Sequence, residues 1–334
     1  MASPSTQPLT ARTGTASTGA PAPLAPLAPP RRSGGRLRRR ARLLGGERPP
    51  RGTGWPIALS LAPALILATT FFLVPLGVLA VTSLADWGGL GFRYVGFENF
   101  SKLFGDPVFW RAARNTLLYA CAGLFIELPL GVLAGILLAQ RRPGWRAFRA
   151  IIFVPYMISG AAYAVIFTTF YNAQYGLLND IVGLFGIAGR DWLYSTGSAL
   201  PAVAGTFVFV VGFDALLVMA EIGSIPRELY ESAELDGASP WQRQRLITLP
   251  LLRNVVGTLV LISLLASIAL FDVVFILTSG GPDNATVTLT LYAYRAYTNG
   301  AWGYANAVGM VIVVVGLLLI VGARRVFRIG ERTL

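Results

Sequence analysis

Along this chain the apolar positions come in long blocks rather than in stripes. No charged residue occurs from Ile57 to Ala85. A helix rises about 1.5 Å per residue, so roughly 20 apolar residues cross a hydrocarbon core of about 30 Å. Pro63 and Pro75 fall inside this block. Neighbouring helices can re-satisfy the hydrogen bonds that prolines cost. Further blocks predict helices over 115–140, 150–171, 198–220, 255–277 and 305–323. With 57–85, the expected fold is an all-α membrane protein of six transmembrane helices. Two polar stretches interrupt the pattern, residues 1–54 at the start and 222–254 between the fourth and fifth blocks.

Residues 1–54 are rich in Pro, Ala, Ser, Thr and Gly and carry the run "RRSGGRLRRRAR" at 31–42. Such a segment buries too little apolar surface to offset ordering entropy, so a disordered basic tail is expected. The block that follows is longer than a signal-peptide core of roughly 7–15 residues, which argues against a cleaved leader. Residues 55–330 then form the transmembrane domain.

Composition narrows the class. Apolar residues make up 54% of the chain and charged ones 13%, against about 25% charged in soluble domains. There is no His, and the single Cys121 lies in an apolar run. This removes His catalysis, disulfide frameworks and Cys- or His-based metal sites. The net charge of +12 suggests nucleic acid or a membrane surface, and the distribution decides. With the N-terminus inside, 22 of the 28 basic residues fall in inside segments. This is a positive-inside pattern. It puts both termini and the 222–254 loop in the cytoplasm, and it explains the excess charge by orientation and membrane lipid, without nucleic acid.

The loop contains "ESAELDGASPWQRQRLITLP" at 231–250. Pro226 suits a helix start, and Glu228 and Glu231 favour its N-terminal turns. That helix should reach Asp236, with Gly237 supplying a left-handed stop. Ser239 can cap a second helix, with Pro240 at its first position and Gln242 completing a capping box. Leu229, Ser232, Ala233 and Asp236 share one small, flat face of the first helix, suited to a groove on another protein.

Here the sequence resembles a family. The loop is similar to that of permease subunits of bacterial ABC importers, whose pattern is Glu-Ala-Ala, three residues, Gly, nine residues, Ile, one residue, Leu-Pro. This chain has Glu231-Ser232-Ala233, Gly237, Ile247 and Leu249-Pro250, with Ser232 as a small-for-small change. "YVGFENFSKLFGDPVFWRAARNTLLYA" (94–120) and "LTSGGPDNATVTLTLYAYRAY" (277–297) resemble segments of the carbohydrate-uptake branch, which serves maltodextrins, other oligosaccharides, polyols and glycerol-3-phosphate. The resemblance implies a bacterial inner-membrane permease that pairs with a second permease, as a heterodimer. An extracytoplasmic solute-binding protein would deliver substrate. A dimer of ATPase subunits would bind ATP and Mg, and no cofactor would sit on this chain. In that family the loop's first helix docks on the ATPase. Glu231 would be its polar anchor, Ser232 and Ala233 would allow close contact, and Gly237 would allow the turn. The only Lys, Lys102, lies outside any G-x-x-x-x-G-K-[ST] loop, so ATP hydrolysis would belong to the partner.

Ionisable groups inside spans default to functional hypotheses. Glu127, Asp214 and Asp272 are the three, and each either lines the substrate path or bonds neighbouring helices. Aromatic faces suit sugar rings, which singles out Tyr163, Phe167, Tyr171, Phe209, Phe213 and Phe271. Phe209 and Phe213, four apart, would share a helical face. Arg190 and Arg295, on outside loops, would meet an acidic binding protein or simply solvent. An ion-coupled secondary transporter is the main rival, since intramembrane acids and broken helices mark that class. A membrane-embedded enzyme or a passive channel does not account for a loop of fixed spacing.

Overall fold

The computed structural model describes residues 54–89 and 91–327. The expected disordered tail, 1–54, lies outside them apart from Gly54. The chain divides into two compact units, 1–65 and 66–334. The described part of the first is the start of a helix, and the rest of the architecture belongs to the second.

Helices dominate. α1 (Gly54–Ala68) continues through a π turn into α2 (Val74–Ser83). A small hairpin follows, with β1 (Ala85–Trp87) antiparallel to β2 (Phe92–Tyr94) and Asp86 opposite Arg93. Next come α3 (Glu98–Gly105), α4 (Pro107–Ala122) and α5 (Leu128–Ala139), then α6 (Trp145–Met157), α7 (Gly160–Phe170) and α8 (Leu177–Gly183). α9 (Ala199–Gly205) leads through a 3-10 turn to α10 (Gly212–Ser224). The surface elements α11 (Arg227–Leu235), α12 (Pro240–Arg243) and α13 (Leu249–Leu251) precede α14 (Arg253–Ile268). α15 (Asp272–Thr278), α16 (Leu289–Thr298) and α17 (Trp302–Phe327) complete the order.

Four helices are long and apolar enough to cross a membrane: Leu59–Ser83, Pro107–Ala139, Ala199–Ser224 and Trp302–Phe327. There are up to six if each of two bent pairs is one span. One pair is α6 with α7, and the other is Pro240–Leu251 with α14, bent by 60°; the helices expected over 150–171 and 255–277 are each interrupted. α6 and α7 meet at a bend of 103°. Pro155 weakens the end of α6, Ile158 turns extended (φ −78°, ψ 138°), and the Ser159 hydroxyl accepts from the Ala162 amide to start α7. The 255–277 block breaks after Ile268 and restarts at Asp272, with Phe271 at φ −128°, ψ −63°. The Thr288 and Thr290 hydroxyls donate to the Leu270 carbonyl at this break, at 2.9 and 2.7 Å. Backbone groups freed at membrane depth require such partners.

Prolines that look like interruptions are absorbed by local widening. The π turns Thr69–Leu73, Gly123–Glu127 and Gln244–Thr248 each end two residues before Pro75, Pro129 and Pro250. A proline ring collides with the carbonyl four residues back, which in each case lies inside the π turn. The wider turn relieves that collision without ending the helix.

α5 and α10 pack closely along their length. A Cβ on Gly131 would stand 2.4 Å from the Asp214 Cβ, and one on Gly135 would stand 2.6 Å from the Val218 Cβ. Two glycines four apart let the backbones approach, the small-xxx-small device of membrane helices. The main core joins Phe109 and Tyr119 of α4, Tyr163 and Phe167 of α7, Val203 of α9, Val274 of α15, Leu291 of α16 and Val308 of α17.

One end of the bundle is tied by side chain-to-backbone bonds. Buried Asn99 donates to the Ser83 and Ala85 carbonyls at 3.0 and 2.8 Å. Asn115 donates to the Asn284 and Val287 carbonyls at 3.3 and 3.1 Å. The Leu289 amide donates to the Thr116 hydroxyl at 3.1 Å. Tyr292 donates to the Asp106 carboxylate and exchanges a 2.7 Å bond with Tyr304. The two segments singled out in the sequence, 94–120 and 277–297, thus hold each other in place.

Candidate functional site

The surface loop folds as its local sequence predicts. α11 starts after Pro226 and ends at Asp236. Gly237 adopts φ +78°, which costs glycine nothing. The Ala238 amide donates to the Ala233 carbonyl at 2.9 Å and the Gly237 amide to the Glu234 carbonyl at 3.0 Å, a Schellman stop. Ser239 and Gln242 close the capping box that starts α12. Arg243 pairs with Glu234 at 2.8 Å, and Tyr230 bonds the buried Thr248 hydroxyl at 2.9 Å. These two contacts brace the arms of the helix-turn-helix against each other. Glu231, Ser232, Asp236 and Gly237 are exposed, while Ala233 is half-buried. The Ser232 hydroxyl donates to the Glu228 carbonyl at 2.7 Å. Leu235 is 91% exposed. Ile247 lies half-buried in the π turn, and Leu249 and Pro250 are exposed in α13. The loop therefore presents an acidic residue and small side chains on a rigid support.

A second cluster lies inside the spans. Asp214, 6% exposed in the first turn of α10, packs on Gly131. Glu127 sits one turn before Gly131, at the end of the π turn. A Cβ on Gly123 would come within 2.5 Å of the Ser263 hydroxyl, 3.5 Å of the Ser267 hydroxyl and 3.6 Å of a Glu127 carboxylate oxygen. α4, α5, α10 and α14 thus bring two carboxylates and two serines to one region. Among the described residues, the buried hydroxyls of Tyr119 and Ser263 have no hydrogen-bond partner. Sequence reading picks out the acids and misses Tyr119, Ser263 and Ser267. The available signal was two serines four apart in the apolar run "LVLISLLASIAL", which places them on one helical face.

The other intramembrane candidates take structural positions. Tyr163 donates to the Thr206 carbonyl and Tyr171 to the Ala202 carbonyl, where α9 gives way to the 3-10 turn. That turn also separates Phe209 from Phe213, which corrects the expectation of a shared face. Phe209 lies 5.3 Å from Phe167, whereas Phe213 stacks on Tyr156 at 4.9 Å. Asp272 is exposed at the start of α15, its carboxylate oxygen 3.1 Å from where a Gly160 Cβ would be. It stands against the N-terminus of α7, where negative charge is favoured. Phe271 stacks on Phe275 at 5.2 Å and meets Tyr294 edge-on. Arg295 bonds the Asn284 side chain and the Ser279 carbonyl, so its guanidinium is used within its own loop. Arg190 lies 4.1 Å over the Trp192 ring.

Residues 128–330, from α5 through α17, match the model of the binding-protein-dependent transport system inner membrane component. The chain belongs to that family. It is therefore a multi-pass inner-membrane transport component and not an enzyme. Among curated relatives, the sulfoquinovosyl glycerol transport system permease protein SmoG of Agrobacterium fabrum is 31% identical, over 81% of this chain and 89% of the relative. The diacetylchitobiose uptake system permease protein NgcF of Streptomyces coelicolor is 34% identical, over 80% of each. A permease chain from the crystal structure of a bacterial ABC transporter that imports the acidic polysaccharide alginate superposes with a TM-score of 0.72 at 25% identity, covering 88% of this chain and 98% of that one. Broken helices, counted above as a mark of ion-coupled transporters, occur in this family member at 158–159 and 269–271, so they do not separate the two classes.

Proposed function

We propose that this chain is one permease of an ATP-driven importer for a sugar or a related polyol or oligosaccharide. The helix-turn-helix of 227–251 carries the reading. In a family defined by binding-protein-dependent transport, a polar two-helix loop with an open glycine turn and exposed Glu231 and Ser232 has a ready role. It docks on the ATPase, which binds ATP and Mg, and transmits its closure to the spans. The loop and both termini would then be cytoplasmic, and the bent α6–α7 pair and α14 would complete six spans. A second permease, a different chain, would form the other half of the path, and an external solute-binding protein would deliver cargo. The names of relatives, which include permeases for diacetylchitobiose, trehalose/maltose and lactose, support a saccharide cargo. The polar cluster is suited to it, because unpartnered hydroxyls and carboxylates in a low-dielectric span gain most from a ligand with many hydroxyls. Glu127, Asp214, Ser263 and Tyr119 would meet that ligand. Phe209, Phe213, Phe271, Tyr163 and Asp272 would shape or brace the path.

Uptake of labelled di- and oligosaccharides by cells expressing the chain with its partner subunits tests this. Uptake should require the binding protein, be blocked by vanadate, and survive collapse of the ion gradients while ATP is maintained. Uptake lost on collapse of the gradients at constant ATP would establish ion coupling instead.

A further inference from the structure

Four arginines, Arg141, Arg142, Arg146 and Arg149, crowd the turn between α5 and α6. Three of them surround one aromatic ring. The guanidinium carbons of Arg141, Arg146 and Arg149 lie 5.9, 5.7 and 5.1 Å from the centre of Trp145. Beside them is a cavity of about 630 Å³, within the range of about 300–1,000 Å³ typical of ligand sites. Its lining includes Arg141, Trp145 and Arg149 from the α5–α6 turn and α6, Met219 of α10, and Arg227 and Tyr230 of α11. No Asp or Glu lines it. Arg141, Arg149 and Arg227 form no ion pair among the described residues. Arg141 is also held at φ +49°, a backbone state that a side-chain-bearing residue rarely adopts. Three permanent positive charges thus face one space without a counter-charge among the described residues.

We propose that this cavity binds the phosphate head group of an anionic phospholipid. A guanidinium matches phosphate oxygens in a bidentate fork, and basic pockets between membrane helices suit such head groups. Trp145 belongs to the residue type that anchors at the bilayer interface. The covering surface next to the cluster favours a lipid over a free anion. Ile151, Val154 and Met157, spaced by three along α6, are 69%, 53% and 71% exposed, an apolar track for an acyl chain leading away from the arginines. The site lies away from the small, flat face of α11, although Glu231 is only about 40° around the helix from Arg227. At about 100° per residue, Arg227 and Tyr230 lie roughly 140° around α11 from the face made by Leu229, Ser232, Ala233 and Asp236. A bound head group joins the first turn of α11 to the α5–α6 turn, so the lipid braces the loop from the side away from that face. The inference needs only that the chain spans a bilayer, whatever its cargo.

The test uses the assembled transporter carrying the full chain, purified in detergent and titrated with phosphatidylglycerol or phosphatidylcholine under native mass spectrometry. The wild type should retain a phosphatidylglycerol that the triple variant Arg141→Gln, Arg149→Gln, Arg227→Gln binds at least about tenfold more weakly, as loss of charge-assisted contacts implies. Phosphatidylcholine binding should be the same in both. Inorganic phosphate should neither displace the lipid nor raise the melting temperature. Equal phosphatidylglycerol binding by the two proteins overturns the proposal. Displacement by inorganic phosphate, with the same thermal shift, overturns it in favour of a soluble anion. If the triple variant does not assemble, Arg227→Gln alone should still weaken phosphatidylglycerol binding, and unchanged binding by it also overturns the proposal.

Discussion

Replacing Gly131 by Ala places a methyl carbon 2.4 Å from the Asp214 Cβ and 3.1 Å from one of its carboxylate oxygens. Non-bonded carbons settle at about 3.5–4.0 Å, so α5 and α10 must part by roughly 1 Å or more at this point. Overpacking of this kind costs about 1–3 kcal/mol. The neighbouring contact of Gly135 with Val218 is equally tight, so the helices cannot relieve the strain by sliding one turn. The variant should insert normally, lose several degrees of melting temperature in detergent, and lose uptake because Asp214 is displaced. The double variant Gly131→Ala, Asp214→Gly removes the colliding carbon. It should recover most of the stability while leaving uptake low, which separates packing from the role of the carboxylate. Wild-type stability and uptake in Gly131→Ala, at normal membrane levels, would refute the close approach and the argument built on it.

Other perturbations follow from the same structure. Asn115→Leu keeps the branched shape but strips the donor from the Asn284 and Val287 carbonyls, at about 1–3 kcal/mol for each buried group left unpaired, and should lower the melting temperature in detergent; an unchanged melting temperature would contradict this. Reporter fusions after Arg149, Ser239 and Leu334 should report the cytoplasm, and fusions near Gly105, Gly186 and Gly300 the exterior; an exterior signal after Ser239 would end the coupling reading. Deleting residues 1–30 while keeping the arginine run should leave uptake unchanged, because tails ahead of the first element tolerate truncation best; loss of uptake at normal membrane levels would contradict this.

The surface loop was the most legible part of the chain, because its signals are local. Pro226, Gly237, Ser239 and Gln242 each fix a terminus through their own backbone preference, and the helices begin and end at these residues or next to them. The apolar blocks were legible as membrane segments but not as shapes. Hydropathy does not distinguish the straight run of α17 from the bend of 103° between α6 and α7, which depends on Pro155, the Ser159 cap and the exposed Asp272 waiting at the new helix end. The helix that carries the apolar block at 115–140 starts earlier, at Pro107, because Arg111 and Arg114 ride on a helix that extends beyond that block. The polar cluster was half legible. A charge in an oily run is conspicuous, whereas Tyr119 and Ser263 become conspicuous only once their hydroxyls are seen buried without partners. Phe209 and Phe213 misled because four-residue spacing implies a shared face only where the helix is continuous.

The central claim is that the 227–251 loop couples this chain to an ATPase, and Gly237 is the place to test it. Gly237 sits at φ +78°, and a Cβ there meets nothing within 4 Å among the described residues, so the main cost expected of Gly237→Leu is the strain of that conformation, about 1–2 kcal/mol. The transporter should still insert and fold, while α11 is redirected and a bulky side chain stands beside the docking face. The decisive measurement is copurification of the ATPase with this variant, followed by binding-protein-stimulated ATP hydrolysis in reconstituted membranes. The account predicts loss of both at normal membrane levels. Wild-type copurification together with wild-type stimulated hydrolysis would contradict it.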